Sequence, residues 1–98
     1  MINLNDIAEQ SYLLAKQRGL STDVVSTLKH CAGEVVEATE AYVNLERDYG
    51  AYNKSQVALE LADVIICALT ASHQLDVDIE EYINEAMQKN ARRAYEES

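Results

Sequence analysis

Val57-Ala-Leu-Glu-Leu-Ala-Asp-Val-Ile-Ile-Cys-Ala-Leu69 decides the fold. The run carries no charge except Glu60 and Asp63, and no Gly or Pro interrupts it. Apolar on nearly every face, it has the pattern of a buried helix rather than a surface one. Residues three apart on a helix lie one above the other, so Glu60 and Asp63 project side by side. Two like charges in apolar surroundings are costly unless something positive sits between them. Glu34-x-x-Glu37 repeats the spacing earlier in the chain. For four carboxylates the simplest positive species is a hard divalent cation such as Mg2+. A metal site at Glu34, Glu37, Glu60 and Asp63 is therefore expected. Competing explanations are a salt bridge from Lys29, Lys54 or an arginine to Glu60 and Asp63, and a solvated helix face for Glu34 and Glu37 alone.

Outward from this run, the 98 residues suffice for one small domain, expected to span 1–98. An apolar content of 48% is normal for a globular protein and argues against a disordered chain. No proline and three glycines favour long helices. The net charge of -9 argues against binding nucleic-acid polymers, which takes a basic surface. A small phosphorylated ligand stays compatible, because a bound cation locally reverses the field. Cys31 and Cys67 fall inside apolar helical stretches and read as reduced packing residues, not as a disulfide or metal motif. Met1-Ile-Asn-Leu-Asn-Asp6 lacks the features of a signal peptide. No window approaches a membrane span. A soluble, cytoplasmic chain without a membrane partner is expected.

Four helices are expected, and with short connections they imply a bundle. The first runs from about Leu4 to Arg18 and ends at Gly19, a C-cap. The second, capped by Ser21 or Thr22 with Asp23 in its first turn, extends to about Asp48. Its stripe Val24, Leu28, Cys31, Val35, Ala38, Tyr42 and Leu45 is bordered by Glu34 and Glu37. Gly33 marks either a close crossing, room for a ligand, or a tolerated irregularity. Tyr49-Gly-Ala-Tyr-Asn53 reads as a loop, with Asn53 and Gln56 as a capping box for a third helix reaching about Leu75. Asp78-x-x-Glu81 opens a fourth, with Asp76 as a competing cap, and the chain frays after Tyr95. So apolar a third helix is most simply buried against another subunit, giving a homodimer or dimer of dimers.

Carboxylate-bridged di-iron bundles need Glu-x-x-His pairs. Thr27 and Thr70 stand three residues before His30 and His73, so di-iron chemistry is disfavoured and no role is assigned to either histidine. An all-oxygen donor set points to Mg2+ or Mn2+. Lys89, Arg92 and Arg93 cluster near the end of the fourth helix, either compensating its dipole or clamping a phosphate opposite the metal.

Glu34-x-x-Glu37, a spacer from Ala38 to Leu59, and Glu60-Leu-Ala-Asp63-Val-Ile-Ile resemble the signature of the MazG-like all-α nucleoside triphosphate pyrophosphohydrolases. Asn90-Ala-Arg-Arg-Ala-Tyr95 is similar to the segment after that family's last helix. The resemblance implies a MazG-like four-helix fold, Mg2+ on Glu34, Glu37, Glu60 and Asp63, and cleavage of a (deoxy)nucleoside triphosphate between its α- and β-phosphates. It implies nucleotide contacts at Asn90 and Arg93, with Lys89 and Arg92 beside them. Glu37 is the candidate to orient or deprotonate the attacking water. The sequence departs from the family at Ala86, where a lysine is frequent, and at Cys67, where some pyrimidine-preferring members carry an aromatic residue. Glu37 and Glu40 also form a competing Glu-x-x-Glu register. The expected role is nucleotide-pool house-cleaning. Alternatives are a phosphoribosyl-ATP pyrophosphohydrolase and a catalytically silent helical dimerisation module.

Overall fold

A computed structural model of the chain describes residues 2–20, 23–47 and 53–97. They form four helices: α1 (Leu4–Gln17), α2 (Val24–Glu46), α3 (Lys54–Gln74) and α4 (Ile79–Glu97). The fold is all-α, as the sequence implies.

Each helix begins and ends for a local reason. Asn3 caps α1 by accepting from the Asn5 and Asp6 N–H groups. Gly19, at φ +73°, closes it in a Schellman turn, with Gly19 N–H to Lys16 O and Leu20 N–H to Ala15 O. The expected caps Ser21 and Thr22 lie outside the described residues. Asp23, expected inside the first turn of α2, is instead its N-cap, accepting from Ser26 N–H at 2.8 Å. The expected loop from Tyr49 to Tyr52 also lies outside the described residues. Asn53 and Gln56 form the reciprocal capping box at the start of α3. Asp76 does not cap α4. It sits at φ +56° and ends α3 in a second Schellman turn, while Asp78 accepts from Glu81 N–H. Asp and Asn are the non-glycine residues that tolerate this left-handed conformation best.

α3 is the central helix, packed against α2 on one side and α1 on the other. The α2 face towards it is Val24, Thr27, Cys31, Glu34, Ala38, Ala41 and Leu45, all buried or half-buried. Steps of three and four residues alternate along it, the pattern of a knobs-into-holes seam. Glu34 thus lies within the seam rather than at its border, and Val35 and Tyr42, expected on the buried stripe, are about half exposed. On α3 the matching row is Val57, Glu60, Val64, Cys67, Ala71 and Gln74. The Cys31 thiol meets Val64 O at 3.7 Å. Three residues further along α2, Glu34 meets Glu60, four residues back along α3. The two helices therefore run antiparallel. Against α1, the rings of His73 and Tyr12 lie 4.8 Å apart.

Two further expectations need correction. α3 is long and apolar enough to cross a membrane by length and composition, with a mean hydropathy of 1.4 over its most apolar 18 residues. Its mid-helix carboxylates and its place between α1 and α2 make it the central helix of the bundle. α4 runs on to Glu97 rather than fraying after Tyr95, and it packs on α1, with no comparable packing against α2 or α3. Asn5 ties the two helix starts together: it accepts from Ile79 N–H at 3.0 Å and donates to Asp78 at 2.8 Å. Leu4 N–H adds a bond to the Glu80 carboxylate at 2.8 Å. No residue of α4 is buried.

Candidate metal centre

The antiparallel seam sets the two acidic pairs against each other. Glu34, Glu37 and Glu60 each offer a carboxylate oxygen, and these oxygens lie within 4.8 Å of one another. Glu34 comes from the middle of the α2 seam with its side chain 13% exposed; Glu60 is half-buried and Glu37 exposed. Asp63, one turn along α3, is exposed and stands outside this triad, yet close enough to raise the Glu34 carboxyl.

Electrostatics here are unfavourable without a cation. Glu34 is held above the ordinary glutamate value by burial first, then by Glu37 and Asp63. His30 Nε2, 3.1 Å from Glu34 Oε1, works in the opposite direction. Glu34 Oε2 and Glu60 Oε2 are buried with no hydrogen-bond partner. Among the described residues no lysine or arginine forms a salt bridge with any of the four acids, so a structural ion pair does not explain the seam. Buried carboxylate oxygens without donors, grouped within reach of one ion, fit a hard divalent cation.

Beside this cluster a cavity of about 610 Å³ opens between α1, α2 and α3. Glu34 and Asp63 lie at its wall with Ser11, Arg18, Thr27, His30, Cys67 and Thr70, and Leu14 and Ile66 supply apolar surface. Its polar groups come from three helices and its acidic wall adjoins the triad. That is the form of a small-molecule site.

The sequence-derived substrate-binding candidates are placed elsewhere. Lys89, Asn90, Arg92 and Arg93 are all exposed on α4, and none lines the cavity. Because α4 continues to Glu97, its last turn holds no basic residue, and dipole compensation does not account for the cluster.

A family model for the MazG nucleotide pyrophosphohydrolase domain matches residues 22–96. The chain belongs to the MazG family. No match was found among curated proteins or among solved structures. The MazG match takes in all four carboxylates and the basic segment of α4, while α1, which supplies one cavity wall, precedes it. Family membership, together with side-chain clusters that could hold a metal ion, is consistent with a hydrolase of the pyrophosphohydrolase type.

Sequence reasoning passed over two residues that the structure brings to Glu34. A ring nitrogen of His30, a Glu34 oxygen and Cys67 Sγ form a second group whose members lie within 4.8 Å of one another. The His30/Glu34 half was visible as an i,i+4 pair. Cys67 was not, because it arrives from another helix.

Proposed function

We propose that the chain hydrolyses (deoxy)nucleoside triphosphates to a nucleoside monophosphate and pyrophosphate, with Mg2+ held by Glu34, Glu37, Glu60 and Asp63. The observation that carries this reading is the pair of donorless buried oxygens on Glu34 and Glu60 inside a MazG domain. Mg2+ bound there supplies charge neutralisation for the phosphate oxygens and for charge developing in the transition state; Mn2+ is the natural substitute. The residues do the positioning. Glu34 and Glu60 come from two helices packed on each other and present their half-buried carboxylates from facing sides of the seam. Glu37, exposed at the edge of the triad, orients the attacking water and takes its proton. The new P–O bond forms at one phosphorus of the α–β bridge as the bridging bond to that phosphorus breaks, leaving a nucleoside monophosphate and pyrophosphate. The cavity beside Glu34 and Asp63 takes the nucleoside, with Thr27, Thr70 and Arg18 as polar contacts.

The working unit in this reading is a homodimer or dimer of dimers, and residues 1–98 act as one domain. Lys89, Asn90, Arg92 and Arg93 then meet the phosphates of a site to which a second copy contributes, since α4 does not carry them to the seam of its own chain. Nucleotide-pool house-cleaning is the proposed role.

The test is pyrophosphate release from a panel of canonical and modified triphosphates, with Mg2+ and with EDTA. Metal-dependent release with equal monophosphate is expected, and Glu60→Gln is expected to abolish it while keeping the helical fold. Turnover by Glu60→Gln, or release of orthophosphate instead, would place the site or the scissile bond elsewhere.

A further inference from the structure

The cluster of His30, Glu34 and Cys67 has a different chemistry from the carboxylate triad. Imidazole nitrogen, carboxylate oxygen and thiol sulfur are the donors that borderline-soft divalent cations take, and Mg2+ does not select them. Their spacing suits such an ion. Two N/O ligands at about 2.0–2.1 Å from a tetrahedral centre stand roughly 3.4 Å apart. His30 Nε2 and Glu34 Oε1 already stand 3.1 Å apart. Cys67 Sγ, within 4.8 Å of a ring nitrogen of His30 and of a Glu34 oxygen, closes the third edge by a shift of roughly 1 Å against the sulfur–metal distance of about 2.3 Å. The His30 side chain is 65% exposed, so its ring adjusts freely and a fourth position stays open to water.

We propose that His30, Glu34 and Cys67 form a second metal site, for a borderline divalent cation such as Zn2+, which shares Glu34 with the carboxylate triad and so competes with it. Coordination by Cys67 exchanges the thiol proton, released to solvent, for the metal–sulfur bond, and leaves the His30 proton on Nδ1. Glu34 is the switch between the sites. Engaged with His30 and Cys67, its carboxylate no longer completes the oxygen cluster with Glu37 and Glu60. A thiolate-binding ion would therefore raise the concentration of Mg2+ that the protein needs. The proposal rests on the donor set and stands independently of the substrate reading.

The experiment is a titration of the full metal-free chain with Zn2+ against a chromophoric chelator, repeated with Cys67→Ser and with His30→Gln, helix content being followed by circular dichroism. Wild type is expected to bind one ion that both variants bind at least about 10–100-fold more weakly, the range seen even when only a ligand's supporting partner is removed. Co2+ in place of Zn2+ should show thiolate-to-metal charge transfer in wild type and in Cys31→Ser, and none in Cys67→Ser. Mg2+ binding to the Zn2+-loaded chain should weaken at least about tenfold, or 1.4 kcal/mol. Equal Zn2+ affinity in wild type and Cys67→Ser, or charge transfer that follows Cys31, would overturn the site. Undiminished Mg2+ binding with Zn2+ loaded would overturn the sharing of Glu34.

Discussion

Glu34 carries conflicting demands. It occupies a seam position where an apolar residue would pack, is raised by burial and by Glu37 and Asp63, and keeps one oxygen without a donor. A carboxyl whose folded pKa exceeds its unfolded value holds its proton more tightly in the folded chain. Its stabilising contribution is then complete below the ordinary value of 4.5 and lost as pH rises through the folded value. The metal-free protein should thus lose thermal stability at this site as pH rises from the ordinary value of 4.5 towards neutrality, and Glu34→Gln should remove that loss. Melting temperatures in EDTA across this window measure it, with the variant the more stable protein at neutral pH. A wild type that gained stability relative to Glu34→Gln on the way up would mean that a donor already satisfies the carboxylate. Adding Mg2+ should reverse the order, because only the wild type keeps the full ligand set. All four acids were legible in the sequence, since i,i+3 spacing fixes a shared face without tertiary information. The asymmetry among them was not. Glu34 is in the seam, Glu37 exposed and Asp63 outside the triad because helix rotation is set by the packing of Cys31 on Val64 and its neighbours.

At the scale of helices, starts and stops follow from side-chain chemistry that sequence displays directly. The Asn53/Gln56 capping box and the left-handed Gly19 sit where expected. Asp76 and Asp78 were two candidates for one cap, and their roles separate because one takes φ +56° while the other is held by Asn5. Gly33 shows where local reading ran out. A close crossing, a ligand and an idle irregularity all predict the same letter, and only coordinates show that a Cβ there meets nothing within 4 Å. Nothing among the described residues opposes a side chain at that position. Gly33→Ala should accordingly stabilise α2 by about 0.5–1 kcal/mol, the helix-propensity difference. For a domain of this size that is a rise in melting temperature of roughly 2–8 °C. A lower melting temperature would reveal a neighbour that closes on Gly33 from outside the chain.

At the scale of the molecule, a single chain is under-packed. Among the described residues the buried apolar ones are four alanines, Ala8, Ala38, Ala41 and Ala71, and one large side chain, Leu69. Leu59, Leu61 and Ile65 of the central helix are more than half exposed, and Tyr82, Ile83 and Met87 form an uncovered stripe on α4. The radius of gyration, 15.9 Å, exceeds the roughly 13 Å of a compact domain of about 100 residues. The sequence displayed the surplus of apolar surface and the amphipathic α4, but amphipathicity says that a helix has a partner, not which chain supplies it. The homo-oligomer proposed above would account for both surfaces: a second copy would cover the outer face of α3, and α4 would bring Lys89, Asn90, Arg92 and Arg93 towards an acidic seam of opposite charge. Light scattering should therefore give a mass that is a multiple of 10.9 kDa. Met87→Glu places a charge in the uncovered stripe of α4, in a helix that buries nothing within its own chain, so the fold of one chain should survive. If α4 docks on a second copy, that charge becomes desolvated, at a cost of several kcal/mol that an ordinary interface does not tolerate. The variant should shift towards monomer, with Mg2+-dependent turnover falling in proportion and recovering at high protein concentration. A chain that is monomeric at every concentration and hydrolyses triphosphate at full rate would confine the site to the α2–α3 seam and leave the basic cluster of α4 without a part in it.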